Sequence, residues 1–255
     1  MGGLGIEAEE KLWLQGCLCW SDYIKHGKNV FSFKKHKKVL QEIELARQAH
    51  KNCEVRFFLD RLPIEAKARV LLLDTLEVGY LDVETTGLET DAEITVAALA
   101  TKNYTKVHKL FRSNQGMKAF IKSLQAVDLL VTYNGQQFDI PLIERNSGET
   151  IKTPHLDMKP VLDKQGLRGG QKRAEKMAGL KRSNPALDGE KAVQLWQNHV
   201  KFQKSGYLVE LCKYCAEDTF QLQQLAHHSK NRSMTSFPER SNQTQAKRQE
   251  VLLVG

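Results

Sequence analysis

An apolar approach, Val78-Gly79-Tyr80-Leu81, runs straight into two carboxylates and a stop, Asp82-Val83-Glu84-Thr85-Thr86-Gly87-Leu88. No other stretch constrains the chain as strongly. The first half reads as a short buried β-strand, and residues two apart on a strand point to one face. Asp82 and Glu84 therefore project together from a strand end. Two like charges held that close raise each other's cost of ionisation. A hard divalent cation between them, Mg²⁺ or Mn²⁺, removes that cost, because such ions take oxygen ligands. The alternative is an exposed, solvated pair, and the pair alone does not separate the two readings.

The chain beyond Gly87 reads as a meander. Segments 94–101 and 105–111 are strand-like and joined by a turn at Lys102-Asn103. Segment 117–124 reads as a short helix. Residues 128–133 form a fourth strand, apolar almost throughout, as expected inside a sheet. A helix over 138–146, a brief extended piece over 155–158 and two long helices over 188–203 and 205–228 complete the pattern. Strands first in a meander, then alternating with helices, predict an α/β fold with a mixed β-sheet flanked by helices.

Residues 1–76 read as a small helical leader, with helices over 8–15, 20–24 and 39–51 and one more between Arg56 and Leu76. Gly3-Leu4-Gly5-Ile6, with Gly16 downstream, fits half of a helix-hairpin-helix or a plain packing element. Lys34-Lys35-His36-Lys37-Lys38 is either a phosphate contact or a solvated helix start.

A net charge of +8 favours an anionic partner. The charge is concentrated over 159–182, where eight basic residues face only Asp163 and Glu175. Gly166, Gly169 and Gly170 make that stretch flexible, either as a nucleic-acid contact or as a solvated loop. From Ser229 onward a polar stretch with five basic residues against two acidic ones reads as a disordered basic tail. No apolar run reaches the length of a membrane span, and the N-terminus lacks the pattern of a signal peptide. Five cysteines without framework spacing fit a reduced, cytoplasmic protein. Cys212-x-x-Cys215 reads as core packing rather than half of a zinc site.

Two further carboxylates stand in telling contexts. In Tyr133-Asn134-Gly135-Gln136-Gln137-Phe138-Asp139-Ile140-Pro141-Leu142, an apolar strand enters an Asn-Gly turn and a helix start bearing Asp139. The helix start can bring Asp139 near the first pair, or Asp139 can simply complement the helix dipole. In Tyr214-Cys215-Ala216-Glu217-Asp218, Tyr214 and Asp218 lie at i and i+4 on one helix face, at the edge of an apolar stripe.

Taken in order, the three segments resemble the motifs of the DEDD superfamily of 3′–5′ exonucleases, which has the ribonuclease H-like fold. They match Asp-x-Glu with Thr-Thr-Gly-Leu, then Asn-x-x-x-Phe-Asp-x-Pro, then the Tyr-x-x-x-Asp of the tyrosine subclass. A closer likeness is to the YprB-like ribonuclease H-like proteins. It takes in Asn-Gly-x-x-Phe-Asp-x-Pro-Leu-Ile-x-Arg ending at Arg145, His155-Leu156-Asp157 and the run Asp188-Gly189-Glu190-x-Ala192-Val193-x-Leu195-Trp196. The basic 163–182 stretch does not align clearly with that family.

The resemblance implies metal-dependent 3′–5′ hydrolysis of single-stranded DNA or RNA. Asp82, Glu84, Asp139 and Asp218 would hold two Mg²⁺ or Mn²⁺ ions about 3.5–4 Å apart. Tyr214 would orient the attacking water, since a phenol with a pKa of about 10 is a poor base at neutral pH. Thr85, the Gly87 backbone and Asn134 would meet the terminal nucleotide, and Asp157 is read as structural. Two other functions compete: a ribonuclease H-like module that binds nucleic acid without cutting it, and a structure-specific endonuclease using the same metals.

Overall fold

The structure, a computed structural model, describes residues 6–87, 89 and 91–234. Leu88, Thr90, the glycine-rich opening up to Gly5 and the tail from residue 235 lie outside the described residues. The chain divides into two compact units, residues 6–76 with 227–234 and residues 77–226.

The N-terminal unit is helical. It contains α1 (Ile6–Leu14), α2 (Trp20–His26), α3 (Phe33–Lys51) and α4 (Val55–Arg61). The single helix expected between Arg56 and Leu76 is instead α4 followed by a 3-10 segment, Ile64–Leu72. Pro63 separates the two, because it disfavours helical geometry at the residue before it. The basic cluster 34–38 lies within the first two turns of α3, six residues earlier than the expected helix start. One polar contact ties this unit together. Arg69 donates to both Glu9 oxygens at 2.7 Å and to the Ser233 carbonyl at 2.7 Å, and Arg69 and Glu9 are 2% and 1% exposed.

The second unit is built on five strands, β1 (Val78–Thr85), β2 (Ile94–Ala100), β3 (Thr105–Lys109), β4 (Leu129–Thr132) and β5 (His155–Asp157). Their order is β3-β2-β1-β4-β5. The first three are antiparallel, while β4 and β5 run parallel to β1. Six helices accompany them: α5 (Asn114–Gln125), α6 (Asp139–Ser147), α7 (Met158–Lys164), α8 (Gln171–Met177), α9 (Gly189–Phe202) and α10 (Ser205–Arg232).

Strand alternation divides the core. Leu81 and Val83 of β1, with Ala97 and Leu99 of β2, turn to the face covered by α5 and α6 through Phe120, Leu124, Leu142 and Ile143. Val96 and Ala98 turn to the other face and pack on Ala192, Leu195 and Trp196 of α9 and Leu211, Tyr214 and Cys215 of α10. Asp82 pairs with Ala98 and Glu84 with Val96, so both carboxylates lie on the α9–α10 face. All of β2 is buried, which explains why Ile94-Thr95-Val96-Ala97-Ala98-Leu99-Ala100 carries no charge.

Two expectations change here. Residues 159–182 form ordered structure, α7 and α8, whose buried Val161, Leu162, Ala174 and Glu175 anchor them. The glycines expected to loosen this stretch serve as turn formers instead, with Gly166 and Gly169 at positive φ. The tail does not begin at Ser229, because α10 runs on to Arg232 with Ser229 fully buried.

Candidate active site

The parallel arrangement of β1, β4 and β5 gathers their C-terminal ends at one edge of the sheet. That edge is where ligands bind in open α/β sheets. Asp82 and Glu84 stand there on β1, followed by a bulge in the β1–β2 register between Glu84 and Thr85. The bulge ends regular pairing and turns the chain away from the strand line. Thr85 is buried and its hydroxyl donates to the Gly87 carbonyl at 2.6 Å, which closes the loop.

Beside β1, the end of β4 makes the tight turn that the Asn-Gly pair foreshadows. Asn134 has φ 64°, and a Cβ on Gly135 would lie 2.2 Å from the Thr132 hydroxyl oxygen. Asp157 stabilises this turn from β5. Its carboxylate accepts from the amides of Asn134 (2.8 Å), Gln136 (3.1 Å) and Lys159 (3.0 Å). Asp157 is thereby a structural carboxylate, as its sequence context indicates. The turn delivers Asp139 to the first position of α6, where it is 6% exposed. Its carboxylate lies close to its own backbone and to that of Val83 in β1, both of which favour its ionised form. Pro141 follows in the first helical turn, where its missing N–H costs nothing.

The third contribution comes from α10. Tyr214 is 5% exposed, so it sits in the core rather than at the stripe's edge, with its phenol close to Asp218 one turn on. Cys215 is fully buried and its thiol donates to the Asp82 carbonyl at 3.5 Å. Ligand atoms of Asp82, Glu84 and Cys215 lie within 4.8 Å of one another. Burial and the surrounding carboxylates push the Cys215 thiol up, so it stays protonated and acts as a donor, consistent with its reading as core packing.

The charges of Asp139 and Asp218 reach the two carboxylates of β1. Burial, then the charges of Asp218, Glu84 and Asp139, raise the Asp82 carboxyl well above the usual range. Burial, then Asp218 and Asp139, do the same to Glu84, with Lys172 opposing. Burial raises Asp139 to about 7, with the Asp157 charge adding to it and the nearby backbone opposing. Asp218 is raised by burial and held back by Arg182 and Lys172. Burial and the same acids push the Tyr214 phenol upward, so it remains neutral.

The donor set fits a hard divalent cation. Asp82 and Glu84 lie together, Asp139 and Asp218 are near enough for their charges to act on both but are not part of that 4.8 Å group, and Oδ2 of Asp82 is buried without a hydrogen-bond partner. An orphaned buried carboxylate oxygen is costly unless a cation meets it. Oxygen-rich sites of this kind suit Mg²⁺ or Mn²⁺ rather than softer metals.

Two cations beside the acids carry no signal in their local sequence. Lys172 lies 4.7 Å from the Tyr214 ring centre and donates to the Leu187 carbonyl. Arg182 is ion-paired with both Glu175 and Asp218. The basic composition of 159–182 points to the segment without singling out either residue.

The mixed five-stranded sheet with helices on both faces is a ribonuclease H-like α/β fold. A family model for the RNase_H superfamily matches residues 79–229, more than half of the 255-residue chain. The chain belongs to the RNase_H superfamily. No curated protein matches the sequence. Among solved structures, the chain is similar to the family B DNA polymerase from the hyperthermophilic archaeon Pyrobaculum calidifontis, at 15% identity over 58% of this chain and a TM-score of 0.46. The match spans 24% of the polymerase chain. Among the described residues, no helix is long and apolar enough to cross a membrane.

Proposed function

We propose that this chain is a divalent-metal-dependent 3′–5′ exonuclease of the YprB-like, DEDD tyrosine type, acting on single-stranded DNA or RNA. Residues 77–228 would be the catalytic domain, with 1–76 as a helical leader and the basic residues after 228 assisting binding. One observation carries the reading: Asp82 and Glu84 stand together at the end of β1, and Asp139 of α6 and Asp218 of α10 lie near enough for their charges to raise both of those carboxyls.

These four residues would hold two Mg²⁺ or Mn²⁺ ions. Bound there, the ions would supply Lewis-acid stabilisation of the phosphoryl and leaving oxygens and an acidified water. The protein's own part is positioning. Asp139 is set by its place at the first position of α6, and Asp218 by its ion pair with Arg182. Tyr214, neutral, would orient the attacking water and take no proton. Asn134, in the turn that leads into α6, and the Gly87 backbone, in the loop after β1, would meet the terminal nucleotide. Thr85 would contribute through the loop it closes, since its hydroxyl is already engaged. Lys172 adds a positive charge toward a phosphodiester.

The test is hydrolysis of 3′- and 5′-labelled single-stranded DNA and RNA with Mg²⁺, Mn²⁺ or EDTA, alongside Asp82→Ala. Metal-dependent shortening from the 3′ end, lost in the variant while binding persists, is the expected result. Cleavage of circular substrate would make the protein an endonuclease. Binding of either polymer without any cleavage would make it a non-cutting module.

A further inference from the structure

Arg182 is one of eight basic residues in a run that reads as surface charge, yet it is among the least exposed of them. Its side chain is 5% exposed, and its partner Glu175 is 2% exposed. Arg182 grips Glu175 with two parallel hydrogen bonds, Nη2 to Oε1 at 2.6 Å and Nε to Oε2. The remaining arm, Nη1, donates to Oδ1 of Asp218.

The surrounding chain is clamped at the same place. The Gln171 side-chain amide donates both to Glu175 Oε1 at 3.0 Å and to the Asp218 carbonyl at 2.9 Å. The Ser183 amide donates to Glu217, and the Gln221 side chain to the Lys181 carbonyl at 2.9 Å. Both neighbours of Arg182 are thus tied to α10 within one turn of Asp218. An exposed pair would contribute little, but a buried, fork-shaped contact fixes orientation as well as charge. Lysine, a point charge on a flexible stem, cannot span two carboxylates in this way. An ionised carboxylate offers about four acceptor sites. The arm on Oδ1 therefore sets the plane of the Asp218 carboxylate and leaves acceptor sites open to other partners.

We propose that Arg182, held in place by Glu175, is a positioning residue that orients Asp218 for divalent-metal binding. This rests on reading the acidic cluster as a metal site. Glu175 touches none of the other three acids through any hydrogen bond described, so its contribution passes through Arg182. Partners that orient metal-binding carboxylates typically matter by about 10–100-fold in affinity or activity. Charge and orientation predict opposite signs. Deleting a nearby positive charge should by itself tighten cation binding, whereas loss of orientation should weaken it.

The experiment is direct Mn²⁺ binding to the full chain, by titration calorimetry and by electron paramagnetic resonance of free Mn²⁺, with urea unfolding in parallel. The proteins are wild type, Asp82→Ala, Arg182→Gln, Arg182→Lys and Glu175→Gln. Wild type should bind Mn²⁺ in a manner that Asp82→Ala abolishes. Arg182→Gln should weaken binding by about 10–100-fold, Arg182→Lys by less, and Glu175→Gln in the same direction. Unchanged affinity with lowered stability would make Arg182 a structural clamp only and overturn the proposal. Tighter binding would make it a competitor of the metal and overturn it as well. Absence of any Asp82-dependent binding in wild type would remove the metal-site reading itself, and this inference with it. If Arg182→Gln does not fold, Arg182→Lys and Glu175→Gln decide.

Discussion

Replacing Asp139 with asparagine should stabilise the protein in EDTA, and by an amount that grows with pH. Asp139 is 6% exposed and its carboxyl is raised from 3.8 to about 7, chiefly by burial. Between those values the folded state binds a proton that the unfolded chain has released, so stability falls as pH rises. The favourable contribution is complete below 3.8 and is lost as pH passes through about 7. At 1.36 kcal/mol per pH unit, the loss is about 1.7 kcal/mol at pH 5 and about 4 kcal/mol at pH 8.5. An uncharged carboxamide at this position carries no such loss. Any change in its polar contacts with the nearby backbone, about 1 kcal/mol, is independent of pH. The advantage of Asp139→Asn should therefore grow by about 2–3 kcal/mol from pH 5 to pH 8.5. Urea unfolding at the two pH values in EDTA measures it. Saturating Mn²⁺ should reverse the order, because only the wild-type protein would be stabilised by the full ligand set. An advantage that stays constant or shrinks with pH would show that Asp139 is ionised at no unusual cost, and burial would not be what holds its proton.

Other parts of the molecule give equally specific expectations. Arg69→Met should cost about 3–5 kcal/mol in urea unfolding, because it leaves Glu9 buried and unpaired. Pairing it with Glu9→Leu should recover much of that loss, and failure to do so would show that the ion pair itself carries the stability. Gly135→Ala should cost about 1–3 kcal/mol, since its Cβ meets Thr132 at 2.2 Å, and should lower hydrolysis by displacing Asp139. Wild-type activity and stability would mean that the turn does not position that residue. Tyr214→Phe should lose hydrolysis while costing no more than about 1.5 kcal/mol of stability. Retained activity would remove Tyr214 from the reaction.

Much of the fold is visible in local patterns. Val78–Leu81, Leu129–Val131 and the uncharged β2 run each announce a buried strand through composition alone. The expected α/β architecture, a mixed sheet flanked by helices with a helical N-terminal region, is the one observed. Two acids spaced for one strand face, and an Asn-Gly turn entering a helix, are likewise local signals. What stays hidden is tertiary. Arg182 and Asp218 are 36 residues apart, and nothing in either neighbourhood marks them as partners. The helices α7 and α8 are seven residues each, too short for a 3.6-residue period to show against three nearby glycines. Tyr214 looks like an edge residue because its helix face is mixed. Its burial is settled by Val96 and Ala98, which come from a strand more than a hundred residues earlier.

The cations beside the acids also bear on how many metal ions the proposed site would hold. Asp82, Glu84, Asp139 and Asp218 bring four negative charges, and Glu175 behind Arg182 brings a fifth. Lys172 and Arg182 offset two of these, leaving three. A single divalent ion would still leave one negative charge on a site that must accept an anionic phosphodiester. Two divalent ions turn that balance to plus one, which a phosphodiester's single charge neutralises. Charge matters most where solvent screening is weakest, and these groups are largely buried. On the proposed reading, two ions and one scissile phosphate therefore form the neutral state of this site. The prediction is that Mn²⁺ titration of the wild-type protein saturates with one ion alone and takes up the second strongly only when a single-stranded oligonucleotide is present. Tight binding of both ions without nucleic acid would refute this charge balance.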